Sequence, residues 1–382
     1  MTGLHEARTL IAEAQRRHRA AREMIRGLHV PYYRRGEMSI PAFKMKQGGD
    51  PAVDGRQDSL KLMKKAAELP VDFFFFDLED AAPDHPEYKV WARRFVIEAF
   101  QTCEFGERVR AFRPNNIRTE YFEEDLCTIL PAVGDRVQAL VIPKSETADE
   151  VKDIARVVQA VQRAAGQMNP IGLEVLIESP KAFCEAERIA AIPQVTALIF
   201  GAWDFARTIG GRVEAATWIQ DQAVARQWLP IVAAAHGKEA VDAVTGALPI
   251  RPKDPHDAEG LARREAAIAL ARRDAADARR CGYAAKWILH PDQIEPIHAA
   301  WTPSRDEALA ALRLTADYTR AALRGSGAEV DGSRLADKAV VGTDWWIVRA
   351  ALTARVLGEP DIAATGFTRD QLERTVVTRA WA

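Results

Sequence analysis

Eight short apolar runs, helical stretches between them, and acidic residues at the ends of two runs predict an α/β chain built as a closed parallel TIM (β/α)8 barrel. The runs are 39–43 (SIPAF), 72–77 (DFFFFD), 108–113 (RVRAFR), 137–143 (VQALVIP), 173–178 (LEVLIE), 196–201 (TALIFG), 238–245 (KEAVDAVT) and 286–290 (KWILH), the first and seventh being the weakest. Apolar runs of this length, bounded by Gly, Pro or Ser, read as strands buried on both faces. The first polar residue after such a strand emerges at its carboxyl end, which places Glu178 and Asp204 at one rim. Between the fourth and fifth runs, Ile154, Val157, Val158 and Val161 keep the i, i+3, i+4, i+7 spacing of a helix that covers the sheet.

Two flanks fall outside this repeat. Residues 1–36 read as a charged N-terminal helical arm, 37–303 as the catalytic barrel and 304–382 as a C-terminal helical lid and oligomerisation region. Beyond Pro303, helical patterns over 305–325 and about 338–358 are separated by GSGAEVDGS, whose Gly, Asp and Ser residues predict a turn-rich hinge. Within 249–281, PIRPKDPHDAEG is loop-like and LARREAAIALARRDAADARR reads as a solvated helix.

Composition excludes several function classes. With 52 Lys and Arg against 54 Asp and Glu, the net charge of -2 gives no broad basic field for nucleic acid, so any anionic ligand must be held locally. Cys103, Cys127, Cys184 and Cys281 form no CxxC pair and read as small hydrophobes, which fits a reducing cytoplasm. The N-terminal MTGLHEARTLIAEAQRRHRAAREMIRG has no continuous apolar core, so neither a signal peptide nor a membrane span is expected. Neither GxxxxGK[ST] nor GxGxxG occurs. Oxygen ligands gathered at a barrel rim without a Cys or His cluster suit Mg²⁺ or Mn²⁺ better than zinc.

Taken in order, DLEDA with Lys89 and Arg93 downstream, RPN at 113–115, IPK at 142–144, IES at 177–179, GAWDFA at 201–206 and ILHPDQ at 288–293 give the chain a family likeness. It resembles the citrate lyase beta-subunit and malyl-CoA lyase branch of the HpcH/HpaI aldolase superfamily. The resemblance implies a divalent-metal enzyme that makes or breaks a carbon–carbon bond beside a carbonyl. By motif, Glu178 and Asp204 match two Mg²⁺ ligands, and the cation would polarise the carbonyl of a chelating 2-oxoacid; the other reading is that they cap helices or pair with surface arginines. Arg113 matches an arginine that contacts the oxoacid and the oxygen where negative charge develops. Arg110 is expected on the same face. Glu79 and Asp80 match residues beside the metal that hold its waters or Lys144, or else form a purely structural network. Lys144 pairs with these acids or meets a substrate carboxylate, with no Schiff base.

Asp337, in GSRLADKAV, matches an acid supplied by a C-terminal lid, often to a neighbouring subunit of a trimer or hexamer, that exchanges a proton with a thioester alpha-carbon. The competing reading is a helix N-cap. His290 is expected to be structural and Phe73 to Phe76 core, while Trp345 or Trp346 is a candidate cover for the site. Where the family carries an RSxLFVPG-like stretch, this chain reads SIPAFKMKQGG, so Lys44 and Lys46 are expected to replace its anion contact without arginine's bidentate geometry. The activity expected is a Mg²⁺-dependent lyase for a 3-hydroxyacyl-CoA of the malyl, citramalyl or citryl type, formed from an acyl-CoA and a 2-oxoacid. The alternatives are a metal-dependent aldolase for free hydroxy-oxoacids and a non-catalytic assembly subunit.

Overall fold

The computed structural model describes residues 34–214, 218–331 and 334–376, with Thr9, Ala12 and Glu13 besides. The expected N-terminal arm lies almost wholly outside these residues. The chain divides into two compact units, Met1–Ile297 and His298–Ala382.

In the first unit, strands β1 (Gly36–Pro41), β2 (Phe73–Asp77), β3 (Val109–Arg113), β4 (Ala139–Ile142), β5 (Gly172–Ile177), β6 (Val195–Phe200), β7 (Glu239–Asp242) and β8 (Ala285–Ile288) form a closed barrel in chain order. All eight pairings are parallel, and β8 closes on β1. The helices between them are α1 (Arg56–Ala67), α2 (Pro86–Thr102), α3 (Tyr121–Val133), α4 (Ala148–Ala164), α5 (Pro180–Ala190), α6 (Ala202–Thr208), α7 (Trp218–Asp221), α8 (Ala223–Ala235) and α9 (Ala258–Cys281); α10 (Ile294–Trp301), after β8, contains the boundary between the two units. Every expected strand is present.

The phenylalanine run shows why these strands read as continuous apolar stretches. Phe73 and Phe75 join the barrel interior, whereas Phe74 stacks on Phe105 with ring centroids 4.7 Å apart and Phe76 meets Phe100 at 5.0 Å. With both faces covered, alternation disappears. Helix α4 is capped by Thr147, whose hydroxyl accepts the Glu150 N–H. Its buried face is Val151, Ile154, Ala155 and Val158, so Val157, expected inside, is exposed.

Strand β1 starts earlier than its apolar run because its first residues meet a buried charge. Glu37, Glu174 and Glu239 all ligate Arg34, which bonds both oxygens of Glu174 at 2.7 Å and Glu239 through Nε and Nη2. Register aligns Glu37 with Phe73 and Glu174 and Glu239 with Ala197, so these carboxylates point inward beneath the apolar layer. Arg34 therefore closes the barrel's amino end.

The second unit contains α11 (Arg305–Leu323), β9 (Ala328–Asp331), β10 (Arg334–Asp337), α12 (Lys338–Thr353), α13 (Glu359–Ala363) and α14 (Arg369–Val376). Its own core includes Leu312, Tyr318, Trp345, Val348 and Leu372. GSGAEVDGS is not simply a hinge: β9 lies within it and pairs antiparallel with β10. A strand of four residues is too short for its alternation to stand out between flanking Gly and Ser.

Arg34→Met should cost about 3–5 kcal/mol in chemical unfolding, because three inward carboxylates lose their shared cation. A loss below about 1 kcal/mol would show that the cluster does not depend on it. Burial pushes Glu37 well above the ordinary 4.5, as does Glu174 beside it, and Arg34 only partly opposes this. A raised folded-state value contributes stability below the unfolded value and loses it as pH rises. Glu37→Gln should therefore flatten the decline in stability above pH 4.5, read from urea midpoints across pH.

Candidate active site

At the carboxyl ends of β2 and β3, Asp77 and Arg113 are register partners. Arg113 Nε donates to Asp77 Oδ1 at 2.7 Å and Nη2 to Oδ2 at 2.6 Å, a bidentate pair buried at the rim. The guanidinium lies over an aromatic floor, 5.4 Å from the Trp287 ring centroid and 6.0 Å from that of Phe75. Trp287 is fixed in turn by its Nε1–H, which donates to Ser39 Oγ at 2.9 Å. Arg110, expected beside Arg113, lies an odd number of residues from it on β3 and so falls on the opposite face.

Past β2, Asp77 also accepts the Glu79 and Ala81 backbone N–H groups, shaping the loop that carries Glu79 and Asp80. Both acids reach Lys144, whose Nζ is 2.6 Å from Glu79 Oε1 and 2.7 Å from Asp80 Oδ1. Arg113 Nη1 lies 3.4 Å from Glu79 Oε2 and 3.6 Å from Asp80 Oδ2. Burial works against the Lys144 charge, yet Asp80 and Glu79 outweigh it and hold the ammonium above its ordinary value. Lys144 is therefore a fixed cation rather than a free amine. Burial raises Glu79; it also pushes on Asp80, but Arg113 and Lys144 bring that residue below its usual range.

Lys144 adopts a left-handed backbone, φ 52°, and its N–H donates to Glu178 Oε1 at 2.5 Å. Such a conformation costs a β-carbon-bearing residue about 1–3 kcal/mol and collects at functional sites. Glu178, just past β5, is buried, which pushes its carboxyl up to about 7; Arg113 and the Lys144 N–H pull it down, while Glu79 and Asp204 push it further up. Asp204 lies on α6, close enough to act on Glu178 and paired at 2.6 Å with the exposed Arg207. Between them Gly201 gives room: a Cβ there would sit 2.3 Å from Glu178 Cβ.

The structure thus brings Glu79, Asp80, Arg113, Lys144 and Glu178 together, with Asp204 at their edge. Lys44 and Lys46 follow β1 and are exposed. Asp337 belongs to the second unit, where its Oδ1 accepts the Val340 N–H at 2.9 Å at the start of α12, the N-cap arrangement. His290 also caps, its Nδ1 accepting the Asp292 N–H. Trp345 is core and Trp346 exposed. Trp287 is not marked by any motif, although it lies within a recognised strand. Two surface cavities of about 480 and 360 Å³ contain none of these rim residues.

Five carboxylates (Asp77, Glu79, Asp80, Glu178 and Asp204) face three cations (Arg113, Lys144 and, on Asp204, the exposed Arg207), so the acids outnumber the cations by two. One buried oxygen, Glu79 Oε2, has no hydrogen-bond partner. All-oxygen donors with surplus charge fit a hard divalent cation. Among the described residues no group of three or more acidic, His or Cys side chains encloses a metal, so Glu178 and Asp204 would form an open edge rather than a cage.

A family model described as HpcH/HpaI aldolase/citrate lyase matches residues 56–252. An L-malyl-CoA/beta-methylmalyl-CoA lyase of Cereibacter sphaeroides (strain ATCC 17025 / ATH 2.4.3) is 32% identical over 306 residues, spanning 76% of this chain and 90% of that protein. The chain belongs to the HpcH/HpaI aldolase/citrate lyase family. In reaction class it is a carbon–carbon lyase. A (3S)-malyl-CoA thioesterase of Cereibacter sphaeroides (strain KD131 / KCTC 12085) is 30% identical over 276 residues, 71% of this chain and 84% of that protein. A citrate lyase from Burkholderia xenovorans LB400 superposes with TM-score 0.66 at 21% identity, covering 88% of this chain and 96% of that one. Protein CitE from Mycobacterium tuberculosis, in complex with magnesium, acetoacetate and coenzyme A, gives 0.58 at 24% identity, with 83% and 97% covered. At these identities the two structures establish the family's barrel fold. No helix among the described residues is long and apolar enough to cross a membrane.

Gly201→Ala should force apart the ends of β5 and β6, since the new methyl overlaps Glu178 Cβ and approaches its Cα at 3.2 Å. The expected cost is about 1–3 kcal/mol in chemical unfolding. Wild-type stability would mean that this close approach is relieved without strain.

Proposed function

We propose that this family member is a Mg²⁺- or Mn²⁺-dependent lyase that cleaves or forms a 3-hydroxyacyl-CoA of the malyl, citramalyl or citryl type, its fragments being an acyl-CoA and a 2-oxoacid. The observation that carries the reading is the surplus of carboxylates over cations at a rim where Glu178 lies within reach of both Asp204 and Arg113. A bound divalent cation supplies Lewis acidity toward a carbonyl oxygen. Relatives that act on malyl-CoA, and CitE holding magnesium and coenzyme A, support the choice of substrate and metal.

Each residue then has a role its geometry permits. Glu178 and Asp204 hold the cation. Arg113, with Nε and Nη2 committed to Asp77, presents Nη1 to the oxoacid and to the oxygen that gains charge as the carbon–carbon bond breaks. Lys144 keeps Glu79 and Asp80 in place and adds fixed positive charge. Lys44 and Lys46 offer exposed ammonium groups to anionic parts of the thioester. Cleavage leaves an acyl-CoA enolate, whose alpha-carbon takes a proton; Asp337, delivered from the second unit of a neighbouring copy in a homo-oligomer, is the acid assigned to that step.

Incubating purified protein and Mg²⁺ with acetyl-CoA or propionyl-CoA plus glyoxylate, pyruvate or oxaloacetate, and following products by mass, should yield a hydroxyacyl-CoA adduct. Free hydroxy-oxoacid cleavage without thioester reaction would replace this reading with the aldolase, and release of free CoA from malyl-CoA with no oxoacid would make the chain a thioesterase.

Glu178→Gln and Asp204→Asn should each weaken Mn²⁺ binding by at least about tenfold in calorimetry while leaving the fold intact. Unchanged affinity in both would remove the site assignment. Because Glu178 must lose its proton to bind and its carboxyl is pushed up to about 7, affinity should be full above that pH and fall below it, by about tenfold per pH unit. Mixing Asp337→Asn with Arg113→Ala protein should restore part of the activity each lacks. No recovery despite demonstrated subunit exchange would leave Asp337 as the cap of α12 alone.

A further inference from the structure

Lys89, on α2, is a buried cation with an uncommon set of partners. Its side chain is 1% exposed, and Nζ donates to three backbone carbonyls: Leu78 O, Glu79 O at 3.1 Å and Ala82 O at 3.3 Å. The face of the Tyr121 ring lies 5.7 Å away. Among the described residues no carboxylate hydrogen-bonds the ammonium directly, and its three N–H groups are taken up by one loop. Burying an ammonium costs several kcal/mol unless its donors are satisfied, and an apolar side chain would fill the same space without that cost.

The loop is gripped from both sides. Its N–H groups at Glu79 and Ala81 point at the Asp77 carboxylate, and its carbonyls at 78, 79 and 82 converge on Lys89. Its two side chains with chemistry, Glu79 and Asp80, both hold Lys144, whose N–H meets Glu178. A second clamp from the same helix lies alongside: Arg93 Nη1 donates to Asp125 Oδ1 at 2.9 Å, and Asp125 Oδ2 takes the Asn115 backbone N–H at 2.8 Å and its Nδ2 at 2.7 Å, next to Arg113.

We propose that Lys89 is a positioning residue of the active site: by gathering the carbonyls of residues 78–82 around its ammonium it sets where Glu79 and Asp80 stand, and through them where Lys144 and the Glu178 edge are held. This rests on the reading of the rim as the active site.

Lys89→Met, which keeps the length of the stem and removes the charge, tests it in the full chain. Hydrogen exchange of the peptide spanning 78–82 should quicken by about tenfold while that of β5 stays unchanged. Mn²⁺ affinity should fall, and kcat should drop by about 10²-fold with KM for the thioester nearly constant, as for a misplaced catalytic group. In a Glu79→Gln/Asp80→Asn background the same substitution should add little, because the groups it positions are already gone. If Lys89→Met does not fold, Lys89→Arg, which keeps the charge but not the three-carbonyl geometry, is read by the same criteria. A lowered Tm with unchanged exchange at 78–82 and unchanged kcat, or a kcat loss that adds in full to that of the double variant, would overturn the proposal. Should the wild type act on no thioester, the lyase reading fails, and exchange with Mn²⁺ binding still decides the role of Lys89.

Discussion

The paired bonds between Arg113 and Asp77 fix more of this molecule than any other contact at its rim. Asp77 accepts two N–H groups from Arg113 and two more from the backbone at Glu79 and Ala81, so a single carboxylate orients the guanidinium and shapes the neighbouring loop. Since Asp77 closes β2 and Arg113 closes β3 in register, barrel closure itself brings the two together. The aromatic floor of Phe75 and Trp287 limits guanidinium movement from below. The Nη1 side of Arg113, not bound by Asp77, has the longer ion-pair contacts to Glu79 and Asp80 at 3.4 and 3.6 Å. Fold and site are thus one construction here, and the strand register decides which donors are left over.

Much of this was legible in the sequence for a simple reason: parallel strands covered on both faces appear as unbroken apolar runs, and a barrel places the polar residue after each run at one rim. Glu178 follows from that rule, whereas Arg113 and Lys144 were reached through the RPN and IPK motifs of the family resemblance. What the rule misses is charge placed inside strands. Glu174 in LEVLIE and Lys286 in KWILH pass as interruptions of apolar runs, yet both are fully buried, Glu174 against Arg34 and Lys286 at 2.8 Å from Asp242. Their partners lie 140 and 44 residues away, beyond what local pattern can reveal. Arg110 stands three residues before Arg113 rather than two, which puts it on the other face, and the β9–β10 hairpin is hidden because its flanking Gly and Ser outweigh four residues of alternation.

Asp337 has a local role in the structure beside the distant one proposed for it. An aspartate before a helix is a favoured N-cap, and the Val340 N–H bond meets that requirement within the second unit. The cap bond, made through Oδ1, fixes the orientation of the side chain. Capping therefore does not argue against proton transfer; it gives the carboxylate a defined orientation, which an acid working at an assembled site also needs.

The two ends of the barrel solve the same electrostatic problem differently. At the amino end three glutamates surround Arg34, and burial shifts Glu37 and Glu174 toward the protonated form, so the internal cation and this shift both lower the charge left inside the barrel. At the carboxyl end the acids again outnumber the cations, but Asp80 and Asp204 are only partly covered and Glu178 is raised no further than about 7. Near neutral pH such a group is poised between a proton and a cation arriving from solvent. The amino end is closed by its own arginine, whereas the carboxyl end keeps a surplus of carboxylates that an external divalent ion can meet, and this asymmetry is the physical ground for proposing the chemistry at that rim.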